Sequence, residues 1–176
     1  MIYTDDAIRT KARFMGCKHT VEDIAVYEGR LFEAFFTTTA IAAGANYDLG
    51  ILTGDSTMIY IPAAITTSAD SVTIGLYESS VITLGTTLAS YNHQRNSSFT
   101  SDTILKTAPT VTTVGTLVSK SYIGGVSGNP QTRQGGIASG GYKMVLKPDT
   151  QYILRFTNGS TASNTINVKM GWIESV

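Results

Sequence analysis

The chain has 176 residues with 13 basic and 13 acidic side chains, so its formal charge is zero and its pI is near 6.7. That length suits one domain with a self-sufficient core, and the charge balance lacks the basic footprint of a nucleic-acid binder and the polybasic signal of a membrane-surface protein. A hydrophobic fraction of 42% excludes wholesale disorder, while a charged fraction of only 15% leaves Ser, Thr, Asn and Gly to fill the polar positions, the bias of an all-β fold.

Residues 1–30 differ from the rest. The N-terminus MIYTDDAIRTKARF has no apolar leader. Thr4, Asp5 and Asp6 followed by Arg9, Lys11 and Arg13 have the charge order of a short helix, acids toward its positive end and bases toward its negative end. Ile8, Ala12 and Met15 would share one face. Two or three turns alone are marginal in water, so this segment reads as an arm that orders against a partner or against the body. In Thr20–Gly29, Thr20 could cap a helical turn closed by Gly29, or Ile24–Tyr27 could form an edge strand.

From Leu31 the punctuation is regular. Leu31–Thr38 reads as a strand anchored by Phe32 and Phe35. Tyr47, Leu49 and Ile51 alternate before the Gly54-Asp55-Ser56 turn. Met58–Pro62 is strand-like, and Pro62 marks an edge or a strand end. Val72, Ile74 and Leu76 alternate next, then Val81–Leu84, Leu88–Tyr91, Ile104–Lys106, Val111–Val114 and Leu117–Ile123. Gly141–Pro148, Tyr152–Asn158 and Ile166–Glu174 complete the series, and in the last two one face (Tyr152, Leu154, Phe156; Ile166, Val168, Met170, Trp172) is dry and the other wet. Many short strands without intervening helical patterns predict a single β-sandwich, jelly-roll-like, over residues 31–176, preceded by the arm at 1–30. Two loops interrupt it, polar Asn92–Asp102 and glycine-rich Gly124–Gly141; loops of such length are uncommon and are functional or disordered.

The residues that chemistry needs are scattered. Cys17 is the only cysteine, so no intramolecular disulfide forms and a reducing cytosol is the expected folding compartment. Cys17 and His19 alone cannot supply the four ligands of a zinc site. His93 lies near Ser97 and Ser98, but no nucleophile elbow surrounds them, so it reads as a loop histidine with local hydrogen bonds. Glu78, Glu174, Asp70, Asp102 and Asp149 could serve as paired carboxylates. Nothing in their spacing brings two together; Glu78 and Glu174 end strands at a rim, and Asp149 sits in an ordinary turn. The glycines of Gly124–Gly141 lack the Gly-Lys-Ser/Thr ending of a phosphate loop. Tyr47, Tyr60, Tyr77, Tyr91, Tyr122, Tyr142 and Trp172 could stack on sugars, though strand aromatics more often fill cores, the reading preferred for Trp172. No catalytic residue, cofactor or metal is assigned.

Five short motifs follow one another along the chain: Tyr27-Glu28-Gly29-Arg30-Leu31-Phe32; Leu76-Tyr77-Glu78; Asn92-His93-Gln94-Arg95-Asn96-Ser97; Leu146-Lys147-Pro148-Asp149-Thr150-Gln151-Tyr152 after a Gly-rich loop; and Trp172-Ile173-Glu174. Their combination, over residues 27–176, resembles a family of tailed-bacteriophage structural proteins. Histidines common beside the Glu-Gly segment of that family are absent here. The resemblance implies a non-enzymatic virion component, a capsid decoration or cement protein that forms a homotrimer on the major capsid protein, folded in the host cytoplasm and then packed into the particle. Interface positions expected on this basis are Ile8, Arg9, Arg13 and Phe14 in the arm, Arg95 in the polar loop, and Gln131, Arg133 and Gln134 in the glycine-rich loop. A tail or neck component, or a module that binds host glycans through exposed aromatics, is the alternative; an esterase or glycosidase is a third.

Overall fold

The computed structural model describes residues 20–67, 71–124 and 143–175. Apart from one short helix, the regular structure of the described chain is antiparallel β-sheet. Its one described helix, α1, spans Val21–Tyr27. Thr20 and Asp23 form a reciprocal capping box, the Thr20 hydroxyl accepting from the Asp23 amide at 3.2 Å and the Asp23 carboxylate from the Thr20 amide at 2.8 Å. At the other end Gly29, at φ 71°, closes the helix: its amide donates to Val26 and the Arg30 amide to Ala25. This decides between the two readings of Thr20–Gly29 in favour of the helix.

Strands β1 (Leu31–Thr37), β2 (Asn46–Leu52), β3 (Thr57–Thr67) and β4 (Val72–Glu78) follow, then β5 (Val81–Thr83), β6 (Thr86–Leu88) and β7 (Tyr91–Asn92). After these come β8 (Ile104–Thr107), β9 (Thr110–Thr113), β10 (Thr116–Ile123), β11 (Met144–Leu146), β12 (Gln151–Asn158) and β13 (Ile166–Ser175). One sheet has the order β11-β3-β13-β1-β7, a second the order β10-β4-β12-β2-β8-β6, and β5 pairs only with β9. Most connections cross from one large sheet to the other, so neighbours in sequence face each other across the core. Its largest fully buried side chains include Trp172 from the first sheet and Tyr152 and Phe156 from the second. Phe36 bridges the layers, stacked on Tyr47 with centroids 6.0 Å apart and edge-on to Phe156 at 6.4 Å. Each such ring contributes about 2–3 kcal/mol by leaving water. The result is a sandwich-like all-β architecture.

Four sequence expectations change. Pro62 does not end its strand: β3 continues to Thr67, and the register against β13 slips between Ile61 and Ala64, so the residue without an N–H sits in a β-bulge. Leu88–Tyr91 is not one strand but the crossover from β6 in the second sheet to β7 in the first. Phe35 does not anchor the core beside Phe32: three residues apart on a strand, they point to opposite faces, and Phe32 is 3% exposed while Phe35 is 55% exposed. The wet faces of the last strands are partly dry. Ile153 is buried on the outer side of the second sheet, where the β5–β9 pair crosses and Ile82 reaches Gly50. Ile173 is buried on the outer side of the first sheet, beneath Ala25 and Leu31. Residues 20–30 of the segment read as an arm thus pack on the sheet; residues 1–19 lie outside the described residues.

Candidate functional site

The sequence motifs, far apart along the chain, meet in two clusters. In the first, the polar loop after β7 is fastened to the C-terminus of α1 and to β13. Asn92 Nδ2 donates to the Gly29 carbonyl at 2.7 Å and to the Phe99 carbonyl at 3.2 Å, and Gln94 Nε2 donates to the Tyr27 carbonyl at 2.9 Å. Gly29 is required twice over: its φ is positive, and a Cβ there would collide with Ser97 and Gln94. Glu174, only 5% exposed, gathers the far end of the loop. Its carboxylate accepts from Ser101 Oγ at 2.6 Å, from the Asp102 and Thr103 amides at 3.1 Å each, and from Trp172 Nε1 at 3.0 Å. A buried carboxyl group is tolerable because four donors converge on it, three on Oε1 and one on Oε2. The loop is held at both ends by these bonds.

The second cluster lies at the rim. Glu78 ends β4 and accepts from Lys147 Nζ at 2.6 Å and from the Tyr152 hydroxyl at 3.1 Å, while that hydroxyl accepts from the Lys147 amide at 2.8 Å. Lys147 holds the Glu78 carboxyl below the usual carboxylate range, and burial pushes the Tyr152 phenol up. Glu78 and Glu174 take their hydrogen bonds from separate sets of donors. On the outer face of the second sheet Arg155 grips Asp48 through two bonds, 2.7 and 2.8 Å, and its guanidinium lies 5.9 Å from the centre of the Tyr77 ring.

At the β7 edge of the first sheet an exposed aromatic pair faces solvent. Phe35 and Tyr91 stack with centroids 5.4 Å apart and planes 13° apart, 55% and 40% exposed. Tyr27 and Phe99, whose carbonyls are held by Gln94 and Asn92, are 70% and 55% exposed. Beside the stacked pair, Glu33 Oε2 lies 2.8 Å from Lys169 Nζ and 3.0 Å from His93 Nε2, close contacts without aligned hydrogen-bond geometry. Lys169 first, and His93 with it, hold the Glu33 carboxyl below its usual range against the opposing effect of burial. His93 therefore reaches across to β1 instead of bonding only within its loop.

Of the expected interface residues, Arg95 is on this edge, exposed and in no ion pair among the described residues. Ile8, Arg9, Arg13, Phe14, Gln131, Arg133 and Gln134 lie outside the described residues, as does Tyr142. Trp172, Tyr60 and Tyr152 are core residues, and Tyr122 is exposed. The sequence reading missed Phe35, Tyr27 and Phe99; the period of two running out from Phe32 was the available signal for Phe35. No group of three or more metal-ligating side chains occurs among the described residues. No helix among them is long and apolar enough to cross a membrane.

The sequence matches no family model and no curated protein.

Proposed function

We propose that the chain is a structural protein of a tailed-bacteriophage particle, a capsid decoration protein that binds and stabilises the head shell. In this reading a single jelly-roll-like sandwich supplies rigid bulk, and the N-terminal arm of the sequence and its Gly124–Gly141 loop bind neighbouring subunits of a homotrimer seated on the major capsid protein. One observation carries it: Phe35 and Tyr91 stack, exposed, at the β7 edge of the first sheet, and the loop that follows β7 carries the exposed Phe99 and Arg95. Aromatic residues and Arg are the residue types enriched at protein interface cores and hot spots. The polar groups that the fold gathers support the same reading, because Glu174, Glu78, Glu33 and Arg155 serve as struts between segments. A protein that binds the assembled shell and not its dissociated parts stabilises the shell by mass action.

Co-sedimentation of purified protein with head shells stripped of it tests the proposal. Phe35→Ser with Tyr91→Ser is expected to lower occupancy at least tenfold while leaving the unfolding midpoint nearly unchanged, since both rings are on the surface. Deleting residues 1–19, which keeps the docked helix α1, tests the arm in the same assay. Full occupancy by both variants would remove the edge and the arm from the account.

The exposed Phe35 and Tyr91 rings also favour a second reading, a tail or neck module that binds host glycans. Stacking turns one face of each ring toward the other, which leaves less of a flat platform for a sugar than two coplanar rings would. Reproducible binding on a glycan array, lost on Tyr91→Ser, would establish that reading.

A further inference from the structure

The four ends of the two large sheets are not alike. Three close on strands of 3, 2 and 3 residues, β11, β7 and β6, and such short edges offer little for another chain to pair with. The fourth is β10, with 8 residues, and seven of them are exposed. It pairs with β4 on one side; on the other, its backbone donors and acceptors meet no strand among the described residues. From Ser119 to Ile123 its register with β4 is regular, and only the slip near Val118 interrupts it.

We propose that β10 pairs with β10 of a second copy of this chain, antiparallel about a two-fold axis through Ser121, joining two six-stranded sheets into one. The sequence of β10 fits itself in this register. Ser121 meets its own counterpart at the axis, where a small side chain is needed. Ser119 falls opposite Ile123, and Lys120 falls opposite Tyr122 of the other copy. Lys120 and Tyr122 are both exposed and, two residues apart, share the outer face, so the ammonium lies against the ring and the two Lys120 residues are not directly opposed. An edge lysine and a bulge ordinarily discourage pairing with arbitrary strands; here they admit the one register in which Lys120 is accommodated. The contact is isologous, so it joins copies in pairs, and any ring built through another surface is doubled by it. The inference concerns the chain alone and touches the virion reading at one point: a homotrimer formed through another surface becomes a pair of trimers in solution.

The test is the mass of the purified full-length protein by sedimentation equilibrium, with two substitutions at one position. The wild type is expected at an even number of copies. Tyr122→Lys sets like charges opposite each other in both halves of the contact and should halve the mass. Tyr122→Glu faces Lys120 of the other copy with a carboxylate and should keep the wild-type mass at low salt but lose it at high salt. An odd-numbered wild type, such as a monomer or a lone trimer, would overturn the proposal, as would an unchanged mass in Tyr122→Lys. Loss of association in both variants at low salt would also overturn it, since that is the signature of a merely apolar patch without this register.

Discussion

At the scale of single residues, burial is decided by what each polar atom finds to bond. Glu174 is a carboxylate inside the protein because four donors converge on it. Glu174→Ala strands those donors and is expected to cost about 3 kcal/mol, since each buried polar group left unpaired costs about 1–3 kcal/mol. Trp172, the only tryptophan, donates to Glu174, so its fluorescence should report the loosening before global unfolding. An unchanged midpoint and spectrum would show that Glu174 holds nothing. Gly29→Ala asks for a side chain at φ 71° against Ser97 and Gln94. It should cost about 2 kcal/mol in a denaturant titration, beyond the ordinary cost of a left-handed alanine. A neutral result would mean that the loop yields freely.

Among the elements, α1 is short and stands on its ends and its one buried face. Thr20→Ala removes half of the capping box and should lower stability by about 1 kcal/mol, checked by denaturant midpoint. Ile82→Ala tests the β5–β9 pair as a cover over the second sheet. Ile82 is 6% exposed, and its truncation should cost about 2–4 kcal/mol. A cost below 0.5 kcal/mol, the usual surface value, would make the pair an ornament. The strands themselves were legible in sequence, because period-two alternation from Leu31 to Glu174 is enforced by two facing sheets. The covers were not legible. Ile153 and Ile173 sit at outward positions of their strands and are dry only because β5–β9 and α1 return over them, a tertiary fact that no local pattern encodes. The same limit applies to the site. Glu78 and Glu174 were placed at rims by their strand-end positions, but their partners Lys147, Tyr152, Ser101 and Thr103 come from distant segments. Arg95 was reachable from its loop, whereas Phe35 was assigned to the wrong face by reading hydrophobicity in place of alternation.

For the whole molecule, three outward-facing glutamates are each set against a lysine: Glu22 with Lys143, Glu33 with Lys169 and Glu78 with Lys147. All three carboxyls are held below their usual range, in each case chiefly by that lysine. A folded pKa below the unfolded one means that the fold favours the charged form. The contribution is complete above the ordinary Glu value of about 4.3 and is lost as pH falls through the lowered folded values. Unfolding midpoints should thus be flat near neutral pH and drop in acid. Glu33→Gln should reduce the drop, and salt should shrink it because the pairs are partly exposed. A midpoint independent of pH down to strong acid would contradict the assignment. At this scale the molecule is a sandwich-like β fold whose distant segments are joined by buried polar contacts and whose Phe35–Tyr91 pair is turned outward, and the proposed function seats it on a head shell. A particle reconstruction tests that account most directly: it predicts density for the sandwich on the outside of the head shell, with Phe35, Tyr91 and Arg95 against the shell protein. Density elsewhere in the particle, or a sandwich whose aromatic edge faces solvent, would contradict it.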